Sequence, residues 1–159
     1  MLADVGARGG LKRNWSAAER HLRVLGFEPD QREYLRLVEK ANGREGSRTF
    51  FHAALHNHPG PISLHIAQDR RLSSIFQPNP AFLESFPEAE RFNTTDVQEV
   101  QADTLDNLLA SRGLTDLDFI NADTQGSELF VLDGAAQGRC GRRLSAWKSK
   151  LSSPRFLKS

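Results

Sequence analysis

Short apolar runs of strand length alternate with amphipathic stretches in the first third of this chain. Residues 2–5 and 23–28 are such runs, and Pro29 ends the second one. Residues 15–22 have weak helical periodicity, and residues 31–42 place apolar side chains at helical spacing. This strand–helix–strand–helix order predicts a parallel sheet with crossover helices.

The same alternation continues through the rest of the chain. Residues 49–55 predict a third strand, and residues 62–67 predict a strand that pairs back across a turn at 56–61. Residues 69–91 are rich in loop signals. The remaining predictions are a strand at 97–102, a helix at 104–112, a strand at 118–123 and a helix from Ser127 that Asp133 and Gly134 end. We therefore expect an α/β fold with a doubly wound, mostly parallel sheet.

Composition predicts one soluble globular domain. The chain has 159 residues, of which 38% are hydrophobic and 26% are charged. No apolar run approaches the roughly 18 residues of a membrane span. The N-terminus has no basic segment followed by an apolar one, so the sequence predicts no secretory signal. The single cysteine, Cys140, excludes an internal disulfide and a thiolate metal cluster. These features favour a cytoplasmic protein.

The net charge of +1 hides an uneven distribution. Residues 138–159 carry seven basic side chains and no acidic one, whereas the rest of the chain holds 14 basic and 20 acidic residues. The acidic body argues against nucleic-acid binding. The segment 138–159 lacks apolar periodicity and is predicted to be a disordered basic tail that follows a domain at 1–137.

The segment 4–10, with the sequence Asp-Val-Gly-Ala-Arg-Gly-Gly, predicts a glycine-rich turn after the first strand. Glycines let the backbone approach a ligand closely and adopt positive φ. Asp4 suits a ligand that carries an ammonium group, because a pyrophosphate would meet a like charge. The spacing of Gly6, Gly9 and Gly10 also differs from the dinucleotide pattern G-x-G-x-x-G.

Two further carboxylates are predicted at strand ends near that turn. Glu28 follows Gly6 by 22 residues, where an acid accepts hydrogen bonds from ribose hydroxyls; the alternative is a solvent-exposed acid. Asp123 ends the later strand and is expected to face the same crevice. Asp123 or Ser127 alternatively caps the next helix, and Glu128 alternatively favours its N-terminus through the helix dipole.

Together these residues resemble the FkbM-type family of S-adenosylmethionine-dependent methyltransferases, which have a class I Rossmann-like fold. The resemblance covers roughly residues 2–136. It is carried by six segments in the family's order: 4–10, 26–30, 54–55, 73–75, 104–106 and 123–135.

The resemblance implies S-adenosylmethionine as cofactor and methylation of a hydroxyl on a small molecule, sugar or natural product, without a metal. It implies that Asp4 and Gly6 border the methionine part, that Glu28 holds the ribose, and that Asp123 lies near the transferred methyl. Asp123 is the expected base or orienting residue, and Glu128 is the second candidate. The implied cofactor-binding residues are Asp4, Gly6, Ala7, Gly10, Glu28, Pro29, Ala54, Leu55 and Asp123.

The chain departs from the family pattern in two places. Asn121 stands where the family often has lysine, two residues before the aspartate of the later strand. After Ala136 the expected further strands are not evident, so the sheet is expected to lack its last strands. The strand at 118–123 would then be an exposed, apolar edge that favours self-association.

Other interpretations remain open at this stage. One is a non-catalytic methyltransferase remnant that binds a cofactor or a partner chain, and another is an NAD-binding oxidoreductase fragment. Ser73 and Ser74 either contact the acceptor or are ordinary loop residues. Four histidines near the 56–61 turn lack an acidic or cysteine partner, so no metal site is predicted: His52, His56, His58 and His65.

Overall fold

The computed structural model describes residues 1–15, 17–41, 48–115, 117–136, 146–149 and 157–158. Its strands, in chain order, are β1 (Leu2–Val5), β2 (Val24–Phe27), β3 (Arg48–Phe51), β4 (Ala54–Leu55), β5 (Gly60–Ala67), β6 (Gln77–Pro78), β7 (Thr94–Asp103), β8 (Phe119–Ala122), β9 (Ala146–Ser149) and β10 (Leu157–Lys158). Its helices are α1 (Gln31–Ala41), α2 (Pro80–Leu83), α3 (Leu105–Ala110) and α4 (Glu128–Ala136). Short 3₁₀ turns lie at Arg13–Trp15, Glu19–His21, Arg70–Leu72 and Ala89–Phe92.

A five-stranded parallel sheet in the described residues forms the centre of the fold. Its strand order is β3-β2-β1-β8-β9, and β1 pairs with both β2 and β8. Leu2, Leu25 and Ile120 are fully buried, as expected for parallel strands that are covered on both faces. The predicted α/β fold with a Rossmann-like parallel sheet is therefore confirmed.

The strand β8 is not an edge of this sheet, so that prediction was wrong. Residues Ala146–Ser149 form β9, which pairs with β8 in parallel from Phe119↔Ala146 to Ala122↔Ser149. The backbone groups on this side of β8 are thus satisfied by a segment whose own sequence lacks an apolar run. Leu157–Lys158 of the predicted basic tail form β10, which pairs antiparallel with β6, and its residues 138–145, 150–156 and 159 lie outside the described residues.

The predicted single strand at 49–55 is split between two sheets. The chain leaves the large sheet after Phe51, where the His52 ring nitrogen lies 3.0 Å from the carbonyl oxygen of Pro29. It then forms β4, which pairs in parallel with β7. β5 pairs antiparallel with β7 and not back across the 56–61 turn, so the small sheet has the order β4-β7-β5.

The helix α1 begins as predicted, directly after the second strand. The carboxylate of Asp30 accepts hydrogen bonds from the backbone N–H of Arg32 at 3.0 Å and of Glu33 at 3.4 Å. These bonds satisfy two N–H groups that the first turn leaves without partners. The helix continues to Ala41, and the predicted last residue, Asn42, lies outside the described residues.

The helix α4 runs through Asp133 and Gly134, so the predicted end at this pair was wrong. A Cβ atom on Gly134 would lie 2.2 Å from the carbonyl oxygen of His56. The glycine therefore lets the helix pack directly against the backbone that follows β4, and Asn57 Nδ2 donates to Asp133 Oδ2 at 3.0 Å. None of the helices in the described segments has the length and hydrophobicity that a membrane crossing needs.

Candidate functional site

A cavity of about 330 Å³ opens at the carboxyl ends of β1, β2 and β8. This is the position at which open α/β sheets bind ligands, and the volume lies within the usual range of small-molecule sites. Of the residues named from the sequence, those that line it are Gly6, Glu28, Pro29, Ala54, Leu55, Ser73, Ser74, Asp123 and Ser127.

The turn after β1 is fastened to both neighbouring strands. Gly6 has φ of +73°, and its N–H donates to the carbonyl oxygen of Phe27 at 3.0 Å. A Cβ atom on Gly6 would lie 2.2 Å from the carbonyl oxygen of Asp123, so no other residue fits without movement of the backbone. Asp123 is held in turn by its N–H, which donates to the carbonyl oxygen of Val5 at 2.9 Å.

Two residues of the predicted turn lie behind the cavity wall. Ala7 is 1% exposed and packs in the core, and its N–H also donates to Phe27 at 3.1 Å. Gly10 has positive φ and would bring a Cβ atom 3.8 Å from Leu37 of α1. Neither residue lines the cavity, so the turn offers a ligand the backbone at Gly6 and the side chain of Arg8.

Asp4 also lies beneath the cavity and does not line it. Its carboxylate is 3% exposed and accepts a hydrogen bond from Asn121 Nδ2 at 2.7 Å. Burial raises the pKa of Asp4 to about 6, while the bond from Asn121 and the charge of Lys12 act in the opposite direction. Asn121, the departure noted in the sequence, is thus the neutral donor that satisfies this buried carboxylate.

Glu28 is buried and lines the cavity at the end of β2. One carboxylate oxygen accepts from the N–H of Asp30 at 3.0 Å and lies 3.7 Å from Arg8 Nη2. Burial raises the pKa of Glu28 to about 7, although the Arg8 guanidinium partly opposes the shift. The site therefore holds a carboxyl group that is poor in water contacts and has acceptor capacity left for a ligand.

Asp30 is a site residue for which the sequence reasoning assigned no role. It lines the cavity and accepts from Arg8 Nη2 at 2.5 Å and from Arg70 Nη2 at 2.7 Å. Burial would raise the pKa of Asp30, but the hydrogen bonds from Arg70 and Arg8 outweigh it, so that the pKa is lowered. The only sequence signal was the adjacent Glu28 and Pro29, since the two arginines lie 22 and 40 residues away.

Both carboxylate oxygens of Asp123 have partners. Oδ2 lies 2.5 Å from Lys12 Nζ, and Oδ1 accepts from Gln125 Nε2 at 3.2 Å. Gln125 has φ of 56°, a conformation that costs a non-glycine residue energy and is enriched at functional sites. Asp123, Lys12 and Gln125 all line the cavity, so this carboxylate is held in a defined orientation at the cavity wall.

Glu128, the second catalytic candidate, does not line the cavity. It is 2% exposed, and its carboxylate accepts from the N–H of Thr124 at 3.2 Å and of Gly126 at 3.1 Å. These bonds close the turn that carries Asp123 into α4. The geometry gives Glu128 the role of fixing that turn.

A segment that we call the strap, residues 70–75, lines the cavity and is tied near both ends. At one end Arg70 pairs with Asp30, and at the other the Ser74 hydroxyl donates to the carbonyl oxygen of Gln125 at 2.8 Å. Within the strap the Ser73 hydroxyl donates to the carbonyl oxygen of Arg70 at 2.9 Å. Ser73 and Ser74 thus hold the strap in place beside the cavity.

Of the histidines near the 56–61 turn, His56 is buried and packs against other rings. His56 is 8% exposed, and its ring lies 4.5 Å from that of His58 and 4.4 Å from that of Phe130. Burial and the nearby His58 lower the pKa of His56. Within the described residues, no three His, Cys, Asp or Glu side chains are grouped closely enough to hold a metal ion.

The amino-acid sequence that builds this cavity matches a known family over most of the chain. The family model described as the methyltransferase FkbM domain matches residues 4–151. The chain belongs to the FkbM methyltransferase family. Comparison with curated proteins found no match, and comparison with solved structures found none either.

The match to the FkbM domain includes every cavity residue described above, and it extends beyond α4. Its last part, residues 137–151, contains β9, the strand that covers β8. The resemblance seen in residues 2–136 of the sequence is therefore confirmed as family membership. This FkbM domain builds its cavity from β1, β2, β8 and the strap.

Proposed function

We propose that this methyltransferase binds S-adenosylmethionine in the strand-end cavity and transfers its methyl group to a hydroxyl oxygen of a small molecule. The observation that carries the proposal is the convergence of Gly6, Glu28 and Asp123 on one cavity. Each lies at the end of a different parallel strand, and each offers a different chemistry: close backbone approach, a buried acceptor and an orientated carboxylate.

The Glu28 end of the cavity fits a ribose. A diol donates two hydrogen bonds, and Glu28 is buried with its second carboxylate oxygen not engaged by the bond from Asp30. A charged hydrogen bond of this kind contributes roughly 1.5–3 kcal/mol. Burial raises the pKa of Glu28 to about 7, because the ionised carboxylate is unfavourable away from water. Hydrogen bonds from a ribose diol would offset this penalty.

The wall next to Glu28 fits the planar base of a nucleoside. Pro29, Ala54 and Leu55 line it, and Leu64 and Ile75 add apolar surface from the small sheet and the strap. Apolar walls with a few placed polar groups are typical of small-molecule sites. This surface is continuous with the Glu28 end, as a base attached to a ribose requires.

The Asp123 end fits the ammonium group of the methionine part. The Lys12 ammonium lies 2.5 Å from Asp123 Oδ2 and shows that a cation is accommodated at this carboxylate inside the cavity. Asp4, which the resemblance assigned to this part of the cofactor, does not line the cavity. Asp123 is therefore the carboxylate that lines this end, and a cofactor ammonium or an acceptor hydroxyl would take the place of Lys12 there.

When bound, S-adenosylmethionine supplies a methyl group on a positively charged sulfur, which needs no further activation. The chain's own residues then have two tasks. The strap and the cavity walls align the acceptor, and alignment of this kind is worth about 7–11 kcal/mol of barrier. Asp123 accepts or orients the hydroxyl proton, and general base catalysis contributes ~10²–10⁴-fold.

Calorimetric titration of S-adenosylmethionine into the purified chain tests this function, with NAD⁺ as the comparison ligand. We expect S-adenosylmethionine alone to bind, and Glu28→Ala to weaken binding about 10- to 100-fold. Glu39→Ala, an exposed glutamate on α1, is the matched control and should bind normally. Binding of NAD⁺, or unchanged affinity in Glu28→Ala, would overturn the proposal. Binding without methyl transfer to any hydroxyl would favour a non-catalytic protein.

A further inference from the structure

Two arginines on the solvent side of the cavity share one carboxylate. Arg71 Nη2 lies 2.6 Å from Asp69 Oδ2, and Arg91 Nη2 lies 2.8 Å from the same oxygen. Both arginines line the cavity, and their side chains are 73% and 40% exposed, respectively. Backbone bonds from Asp69 N–H to Arg91 at 3.0 Å and from Gln68 N–H to Asn93 at 2.8 Å fix the two loops together.

The two guanidinium groups are close enough to repel each other. Hydrogen bonds from Arg71 and Arg91 hold the pKa of Asp69 well below its usual range, so Asp69 is ionised and accepts from both. Asp69 raises the pKa of Arg71, whereas the charge of Arg91 opposes that shift. A second anion beside this pair would relieve the repulsion between the two arginines.

The other cations of the cavity wall are already matched to carboxylates that line it. Arg8 and Arg70 both bond to Asp30, and Lys12 bonds to Asp123. Arg71, in contrast, uses Nε and Nη2 for Asp69, and Nη1 has no acceptor within the part of the chain that the structure describes. Arg91 uses Nη1 for Glu88, an exposed side chain that a stronger ligand can displace.

We propose that Arg71 and Arg91 bind an anionic group of the methyl acceptor, a carboxylate or a phosphate, while its hydroxyl lies at Asp123. This inference rests on the proposed function for the position of the hydroxyl. Guanidinium groups recognise planar carboxylates and phosphates through paired N–H donors, so two of them on a fixed loop pair form a specific anion site. The acceptor class is thus a hydroxyl compound that carries a negative charge, such as a hydroxy acid or a sugar phosphate.

Nuclear magnetic resonance of the arginine Nε–H groups tests the site, with inorganic phosphate and glucose 6-phosphate as probes and glucose as the uncharged comparison. The protein is first saturated with S-adenosylhomocysteine, which occupies the cofactor cavity. We expect saturable shifts of the Arg71 and Arg91 signals with both anions and none with glucose. Arg71→Gln should weaken phosphate binding about tenfold or more. Arg32→Gln, an exposed arginine outside the cavity, should leave it unchanged.

Asp69→Asn separates an anion site from a structural clamp. Removal of the competing carboxylate should strengthen phosphate binding if the arginines are an anion site, whereas loss of a clamp alone would weaken it. Absence of saturable shifts at Arg71 and Arg91, or equal effects of Arg71→Gln and Arg32→Gln, would overturn the inference. Failure of S-adenosylhomocysteine to bind would count against the proposed function, and phosphate shifts at Arg71 and Arg91 would then still establish the anion site.

Discussion

Gly6 lies against Asp123 so closely that a methyl group on its Cα would come within 2.2 Å of the Asp123 carbonyl oxygen. This contact joins the turn after β1 to the end of β8, two segments that the sequence pattern had linked only by their position after predicted parallel strands. Both residues line the cavity.

Gly6→Ala is expected to destabilise the protein and to distort the cavity. The positive φ alone costs roughly 1–2 kcal/mol, and the backbone clash adds about 1–3 kcal/mol. Gly113→Ala is the matched control, because Gly113 has φ of +64° and a methyl group on its Cα would meet nothing within 4 Å. Urea unfolding of both variants measures the difference. Equal losses would show that the Gly6–Asp123 contact is not as tight as described.

Gly134→Ala tests whether this glycine ends α4 or lets α4 pack against the backbone of His56. Alanine gains roughly 1 kcal/mol in a helix, but the new methyl group would lie 2.2 Å from the carbonyl oxygen of His56. We expect a net loss of about 1–2 kcal/mol in the free energy of unfolding. Leu129→Ala, at a position in the same helix that is 70% exposed, should change it little. A stabilised Gly134→Ala protein would contradict the packing.

Glu28 should make the stability of the protein depend on pH. Its folded-state pKa of about 7 lies above its ordinary value of 4.5, so between these values the folded state binds more protons than the unfolded state. The free energy of unfolding therefore falls as the pH rises through this window. Glu28→Gln removes the effect, so the variant should gain on the order of 3 kcal/mol relative to wild type between pH 4.5 and pH 8. Denaturant unfolding of both proteins at both pH values measures this gain. A difference in the free energy of unfolding between Glu28→Gln and wild type that does not change with pH would contradict the burial of Glu28.

The strap should open more readily when its bond to Gln125 is removed. Ser74→Ala loses the hydroxyl bond of 2.8 Å, which contributes about 1 kcal/mol. The backbone N–H groups of His65 and Ser74, which bond to each other's carbonyl oxygens, should exchange hydrogen about fivefold faster. Ser111→Ala removes a similar bond of 2.8 Å to Leu108, remote from the strap, and should leave these two amides unchanged. Equal acceleration in both variants would indicate global loss of stability and not a strap.

The sequence predicted the parts of the fold that local patterns determine. Buried parallel strands are apolar on both faces, so Leu2–Val5 and Val24–Phe27 stand out as short hydrophobic runs. Glu28 and Asp123 follow such runs directly, and the carboxyl ends of parallel strands meet at one edge of the sheet. That these two residues line one cavity was therefore predictable without knowledge of tertiary contacts.

The features that the sequence missed depend on contacts between distant segments. The residues of β9 have no strand pattern of their own. They form a strand by pairing with the side of β8 that β1 does not occupy. Asp30 pairs with Arg8 and Arg70, and no local sequence pattern connects these arginines with Asp30. Glycine at position 134 suggested a helix end, but the helix continues there and the glycine lets it pack against the His56 carbonyl oxygen. Asp4 lies in the predicted strand, but its carboxylate bonds to Asn121 and does not line the cavity.

The most direct test of the account is a backbone-amide resonance titration with S-adenosylmethionine, which reports where the cofactor binds. We predict saturable shifts at Gly6, Glu28, Leu55 and Asp123, with none at the exposed face of α1 around Arg32 and Glu39. Shifts confined to other surfaces, or no saturable shift in the folded protein, would contradict the assignment of this cavity as the cofactor site.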